Sequence, residues 1–329
     1  MDTSQRSTFY ELQANNRRNS VLLVLLFMAL VGALGLGLDV FFLGFGRGEG
    51  GTPVPIATFF GLLFGGLYAM QGWFFGASQV LAASQARAVD LSIPEEKQFQ
   101  NVVEEMAIAA GVPPPKAYVL PDSDPNAFAV GRDPEHASIA VTQGLLQALD
   151  REELQGVVGH EMSHVRNLDI RAMTLVTALF GAALLLSDVA RRGLYFGGGR
   201  SSRRDSRDSG GGGALMLILF LLWMMLAVLA PFLGQLLVFA VSRSREYLAD
   251  ASGAELTRNP LGLASALRKI ASAHEPTRVI TQGTAHLCIT DPRGMALNEK
   301  EGGVANLFGT HPPIEKRIAI LESMAGVVS

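Results

Sequence analysis

In the segment VVGHEMSHVRN, His160 and His164 stand four residues apart, with Glu161 directly after the first. Two imidazoles at i and i+4 of a helix share one face, one turn apart. At that separation both can reach one tetrahedral zinc, each nitrogen about 2.0 Å from the metal. A glutamate one step round the helix is close to a metal-activated water without being a ligand itself. The three residues form the H-E-x-x-H pattern, whose chemistry is metal-assisted hydrolysis of a peptide bond.

The surrounding residues predict the helix that this chemistry needs. Asp150-Arg-Glu-Glu153 is a helix start, with Asp150 as N-cap and Glu153 three residues on. Leu154, Val157, Val158 and Met162 then recur at helical spacing.

A catalytic zinc takes three protein ligands and keeps a fourth position open. A third histidine six residues after His164 would fall on Ile170, and the glycine that such a site requires is Asn167, so that arrangement is excluded. His136, His274, His286 and His311 remain, together with acidic residues on another helix. Glu246 and Asp250, in Ser-Arg-Glu-Tyr-Leu-Ala-Asp, share a helical face. One can bind the metal while the other orients a ligand through a hydrogen bond. Spacing alone leaves open which does which, and whether the pair merely faces Arg243 and Arg245.

Elements that position these residues alternate between apolar and mixed. The chain is 49% hydrophobic and only 17% charged, too apolar for an ordinary soluble enzyme. Val21–Leu38, Val54–Gly76 and Ala214–Val241 carry no charge, and each reaches the roughly 18–20 residues that a membrane-crossing helix needs. Ala172–Ser187 is a shorter fourth block between Arg171 and Asp188. The first block follows Arg17 and Arg18 but outruns a signal-peptide core, so a retained anchor is expected. A single cysteine, Cys288, excludes an internal disulfide and a Cys-based zinc knuckle. A net charge of −3 gives no footprint for nucleic acid.

Four parts follow. Residues 1–76 are a tail and two transmembrane helices. Residues 77–171 are a catalytic half: a helix from Pro94 to about Ala110 ending at Gly111, short strands at Ala117–Leu120, Ala127–Val130 and Ser138–Val141, then the H-E-x-x-H helix. Residues 172–241 are two further membrane helices around a Gly/Arg-rich loop, 191–213, read as a solvated linker. Residues 242–329 are the second catalytic half, with a last helix from about Pro313 to Met324. The expected class is an integral membrane protein, mainly α, with a small α+β zincin-like catalytic domain and about four transmembrane helices. Parity demands that the third and fourth spans both cross, or both fail to, if residues on either side of them build one site. Arginine placement narrowly favours a cytoplasmic N-terminus, hence a prokaryotic inner membrane with the active site facing the cytoplasm.

HEMSHVRNLDIR, SREYLADASGAELTRNP and THPPIEKRI, in this order with two spans between the first two, resemble the HtpX-type membrane metalloproteases, gluzincins related to the CAAX prenyl proteases. The likeness runs from about Ala88 to the C-terminus and includes NAFAVGR. It implies one Zn²⁺ per chain held by His160, His164 and Glu246, with Glu161 as general base and Asp250 behind a ligand. It further implies that His311 stabilises the oxyanion and that Arg317 supports Glu246. Substrate is expected to add as an extended strand along an edge near Ala127–Val130, with Asn126, Ala127, Phe128 and Ala129 as contacts, or near Ser138–Val141. The activity implied is a zinc endopeptidase acting on misfolded or damaged membrane proteins in quality control and stress response. Its partners are unfolded or membrane-protein substrates and the bilayer. The rival expectations are a prenyl-protein processing protease and a membrane scaffold with structural zinc.

Overall fold

The computed structural model describes residues 9–43, 46–47, 53–174, 212–273, 287–290 and 312–326. Most of Ala172–Ser187, nearly all of the 191–213 loop, and His274, His286 and His311 lie outside them. The described chain is mainly helical with a small sheet. Its elements in order are α1 (Phe9–Leu38), β1 (Gly46–Arg47), β2 (Pro53–Val54), α2 (Ile56–Ala83), β3 (Arg87–Ala88) and α3 (Pro94–Ala110). Then come β4 (Lys116–Leu120), β5 (Ala127–Val130), β6 (Ser138–Thr142), α4 (Gln143–Ala148) and α5 (Arg151–Arg166). The last three are α6 (Gly212–Thr257), α7 (Pro260–Ala271) and α8 (Ile314–Met324).

Two helices among the described residues are long and apolar enough to cross a membrane, Val24–Phe42 and Ile56–Ala83, with a shorter apolar run at Leu215–Leu226. The chain divides into two compact units. In the apolar unit, built from 21–71 and 178–235, Asp39 directly follows α1 and caps α2. Its carboxylate accepts hydrogen bonds from the backbone of Ala57 and Thr58, each 2.8 Å, and from the Thr58 hydroxyl. Those are the orphan N–H groups at a helix start, which explains why a buried acid is tolerated there. Trp223 packs on Leu34 and donates to its carbonyl at 3.3 Å.

The polar unit holds the sheet, in the order β3-β4-β6-β5. β4 and β6 are parallel, and β5 runs antiparallel to β6 at one edge, pairing Ala127 with Val141 and Val130 with Ser138. Ser138–Val141 is therefore paired on both sides and is not the free edge that the sequence allowed it to be. α3 carries acids in its first turn and stops where Gly111 takes φ 68°, a left-handed value that glycine adopts without strain. The Asp150–Glu153 capping box forms with both hydrogen bonds, at 3.0 and 2.9 Å. α5 then runs through the centre of the core, packed by α3, α7 and β5.

Two details depart from the sequence reading. α6 is one continuous helix from the apolar block to Thr257, so no break separates the expected fourth span from the Glu246 helix. Also, β3 and α4 are short elements that the residue pattern did not predict.

Candidate metal centre

α5 presents His160, Glu161 and His164, all nearly fully buried. α6 brings Glu246 against them because two glycines remove the obstacle. A Cβ on Gly253 would lie 2.8 Å from the His160 backbone nitrogen, and one on Gly159 would lie 3.3 Å from the Gly253 carbonyl. Only glycine allows this approach, and Glu246 and Asp250 follow it into place.

The side chains of His160, His164 and Glu246 converge so that one donor atom of each lies within 4.8 Å of the others. Two nitrogens about 2.0–2.1 Å from a tetrahedral zinc stand about 3.3–3.4 Å apart. Nε2 of His160 and Nε2 of His164 are 3.3 Å apart, and the Glu246 oxygens lie 3.6 and 3.7 Å from them. The donor set therefore fits a single small dication. Among the described residues the set has three ligands and no cysteine, which matches an open site rather than a closed structural one.

The atoms behind the donors are held as tightly. His160 Nδ1 meets Asp250 at 2.9 Å. Asp250 is clasped by both Nε and Nη2 of Arg317, at 2.8 and 2.7 Å, and Nη1 of Arg317 lies 3.6 Å from Glu246. Arg317 therefore grips Asp250 first and Glu246 second. His164 Nδ1 meets Asp169 at 3.1 Å, and Asp169 meets Arg245 at 3.3 Å. These contacts fix which ring nitrogen of each histidine faces inward.

Sequence reasoning missed Asp169, although it lies only five residues beyond His164. The turn that returns it passes through Leu168 at φ 62°, a strained value for a non-glycine residue. The available signal was a carboxylate just past the end of the motif helix. Arg245, expected from its place in the sequence beside Glu246 and Asp250, pairs with Asp169.

One oxygen of Glu161 accepts a hydrogen bond from the Ala129 backbone N–H. The other, Oε2, is buried with no hydrogen-bond partner among the described residues. A desolvated carboxylate oxygen left open beside three converging metal donors marks a place for a reacting group. Burial is the main cause that pushes the Glu161 carboxyl up to about 8 without metal, and Glu246 adds to it. The histidines are driven apart. Burial lowers His160 despite Asp250. For His164 burial also lowers, but the Asp169 hydrogen bond and the carboxylates of Glu246, Asp169 and Glu161 raise it to about 9. A proton on His164 thus occupies the position that suits a cation.

The metal-free protein should therefore lose stability as pH rises from 6 to 9. The contribution of His164, raised in the fold from 6.5 to about 9, is fully present below 6.5 and is lost through about 9. The penalty for ionising Glu161, raised from 4.5 to about 8, grows over that interval. Both effects have the same sign. A chelator-treated sample should show a thermal midpoint falling across this window, and added zinc should flatten the slope. A midpoint that rises with pH in the chelated sample would contradict the charge assignment.

Residues 94–325 match Peptidase family M48. The chain is 43% identical to "Protease HtpX homolog" of Thermoanaerobacter pseudethanolicus, over 97% of this chain and 99% of that one. It is 42% identical to the protein of the same name from Caldanaerobacter subterraneus subsp. tengcongensis, with the same coverage. Among solved structures, S. mikatae Ste24p is similar with TM-score 0.48 and 17% identity, over 95% of this chain and 67% of that chain.

Proposed function

On the premise that this chain belongs to peptidase family M48 and is a membrane metalloprotease, we propose that it is a zinc endopeptidase with His160, His164 and Glu246 as ligands and Glu161 as proton carrier. It acts on unfolded or damaged membrane proteins. The observation that carries this reading is the convergence of three buried donors beside the open oxygen of Glu161. Bound zinc supplies the Lewis acidity that polarises a scissile carbonyl and activates water. Glu161, held by Ala129 through one oxygen, takes the water's proton at Oε2 and returns it to the leaving nitrogen. Asp250 and Asp169 hold the two imidazoles in register, and Arg317 neutralises the acids behind them. His311, outside the described residues, keeps the oxyanion role that the resemblance implies.

β5 supports a substrate mode. It is the edge strand of the sheet, and Ala129, whose N–H reaches Glu161, lies on it. An extended peptide added there gains main-chain hydrogen bonds with little demand on sequence, which suits a quality-control protease. The purified protein should cleave an unfolded casein only when zinc-loaded. Preference for a prenylated peptide terminus over casein would move the reading to a processing protease.

Four spans and a cytoplasmic active site complete the proposal. Trp73 on α2 with the Arg171 guanidinium 4.6 Å over its ring supports a headgroup level near that turn. A Ser206→Cys label in a Cys288→Ser background tests the topology. Reaction with an impermeant thiol reagent in intact cells is expected, because Ser206 would lie on the outer side. Protection of Ser206→Cys, with reaction only after lysis, would make the third and fourth segments a non-crossing hairpin.

A further inference from the structure

Beyond β5 lies a piece of the chain's own sequence, Leu287–Thr290. Cys288 faces Phe128 in an antiparallel bridge, and the Ile289 N–H donates to the Ala127 carbonyl at 2.9 Å. The Ile289 carbonyl accepts from Nη1 of Arg317 at 2.8 Å, and the Thr290 carbonyl accepts from the Asn126 amide at 3.4 Å. Three main-chain groups of this short bridged segment, the Ile289 N–H and the Ile289 and Thr290 carbonyls, are thus held by Ala127, by the arginine behind His160 and by Asn126. The Ile289 side chain is 1% exposed and packs into the main core. These contacts resemble those of a bound substrate: backbone groups held at an edge strand and one side chain buried among apolar residues.

We infer that Leu287–Thr290 is a resident occupant of the substrate groove, and that substrate enters by displacing it as an extended segment with a bulky aliphatic residue in the place of Ile289. This rests on the reading of the β5 edge as the substrate edge. The occupant explains how a protease with broad backbone recognition can be kept from cutting folded neighbours. Apparent affinity is reduced by the fraction of time the groove is open, so a long unstructured chain, presenting many extended segments, competes best.

Cys288 is the chain's single cysteine and is buried, so its alkylation reports directly on release of the segment. The test uses the zinc-loaded, detergent-purified full chain carrying Glu161→Gln, so that bound peptide is not turned over. A decapeptide with one isoleucine among polar residues is expected to speed iodoacetamide labelling of Cys288 about tenfold at saturation, as release of a protected segment should. The same peptide with aspartate for isoleucine should not. If the isoleucine peptide inhibits casein cleavage by the wild-type protein yet leaves Cys288 labelling at its resting rate, the segment is a fixed wall and the inference is overturned.

A covalent lock gives a second measurement. Facing residues of an antiparallel pair have Cα atoms about 4.5–5.5 Å apart, within the span of a disulfide. Phe128→Cys should therefore cross-link to Cys288 on oxidation, with casein cleavage falling at least about tenfold and returning on reduction. Equal activity of the cross-linked and reduced forms would overturn the inference. Casein left intact by the wild-type, zinc-loaded protein would instead overturn the functional reading beneath it.

Discussion

Glu161→Gln is expected to abolish proteolysis while leaving metal content unchanged. The substitution keeps the side chain's length and its acceptor oxygen for the Ala129 N–H, so the local packing persists. It removes the basic oxygen at Oε2. General-base catalysis is worth about 10²–10⁴ in rate. Here the same group also returns the proton to the leaving nitrogen, so a loss of about 10³-fold or more is expected. The donors of the metal, His160, His164 and Glu246, are untouched. Casein turnover and metal analysis on one preparation decide the matter. Metal lost together with activity would mean that Glu161 is a ligand and that the roles are wrongly divided.

The same variant probes the electrostatics. Without metal, the buried Glu161 carboxyl is pushed up to about 8. Beside a dication a carboxyl ionises at lower pH, because the positive charge favours the anion. Glu161→Gln should therefore stabilise the metal-free protein most at high pH, where ionising the buried acid costs most. It should do little near pH 5, where the acid is neutral in the fold.

How much of this was legible beforehand divides along physical lines. The motif helix was legible because its signals are local: a capping box, a 3.6-residue apolar period and two histidines one turn apart. The helix at Pro94–Ala110 and strands β4, β5 and β6 were legible for the same reason, through glycine and proline punctuation and short β-branched runs. Glu246 and Asp250 could be found as an i, i+4 pair, but their order of duty could not. Asp250, not Glu246, is 2.9 Å from His160 Nδ1, and that depends on how α6 crosses α5. The crossing is set by Gly159 and Gly253, which lie almost a hundred residues apart and carry no local signature of the contact. Asp169 stayed hidden because a left-handed Leu168 is not a residue preference anyone would assume. Leu287–Thr290 stayed hidden because four residues carry too little pattern to be read as a strand, and their partner is more than 150 residues upstream. Local periodicity predicted the elements. Close approach and long-range pairing built the site.

Glu246→Ala is expected to empty the metal centre, whereas His274→Ala and His286→Ala are expected to leave it filled. The first removes one of three converging donors and the only anionic one among them. It leaves His160 and His164, and two imidazoles alone hold zinc far more weakly than three ligands do. The charge balance changes as well. Arg317 is buried between Asp250 and Glu246, so losing one acid leaves the guanidinium with a single carboxylate partner in the site. It also removes one of the charges that hold His164 protonated at neutral pH. The apo form of Glu246→Ala should then show a shallower loss of stability between pH 6 and 9 than the wild-type apo form. Metal content after dialysis at matched zinc activity measures the first effect, and the pH series of thermal midpoints measures the second. If His286→Ala emptied the site while Glu246→Ala stayed loaded, the ligand set would have to be redrawn around the histidine next to Leu287, and the occupied groove would become part of the metal centre itself.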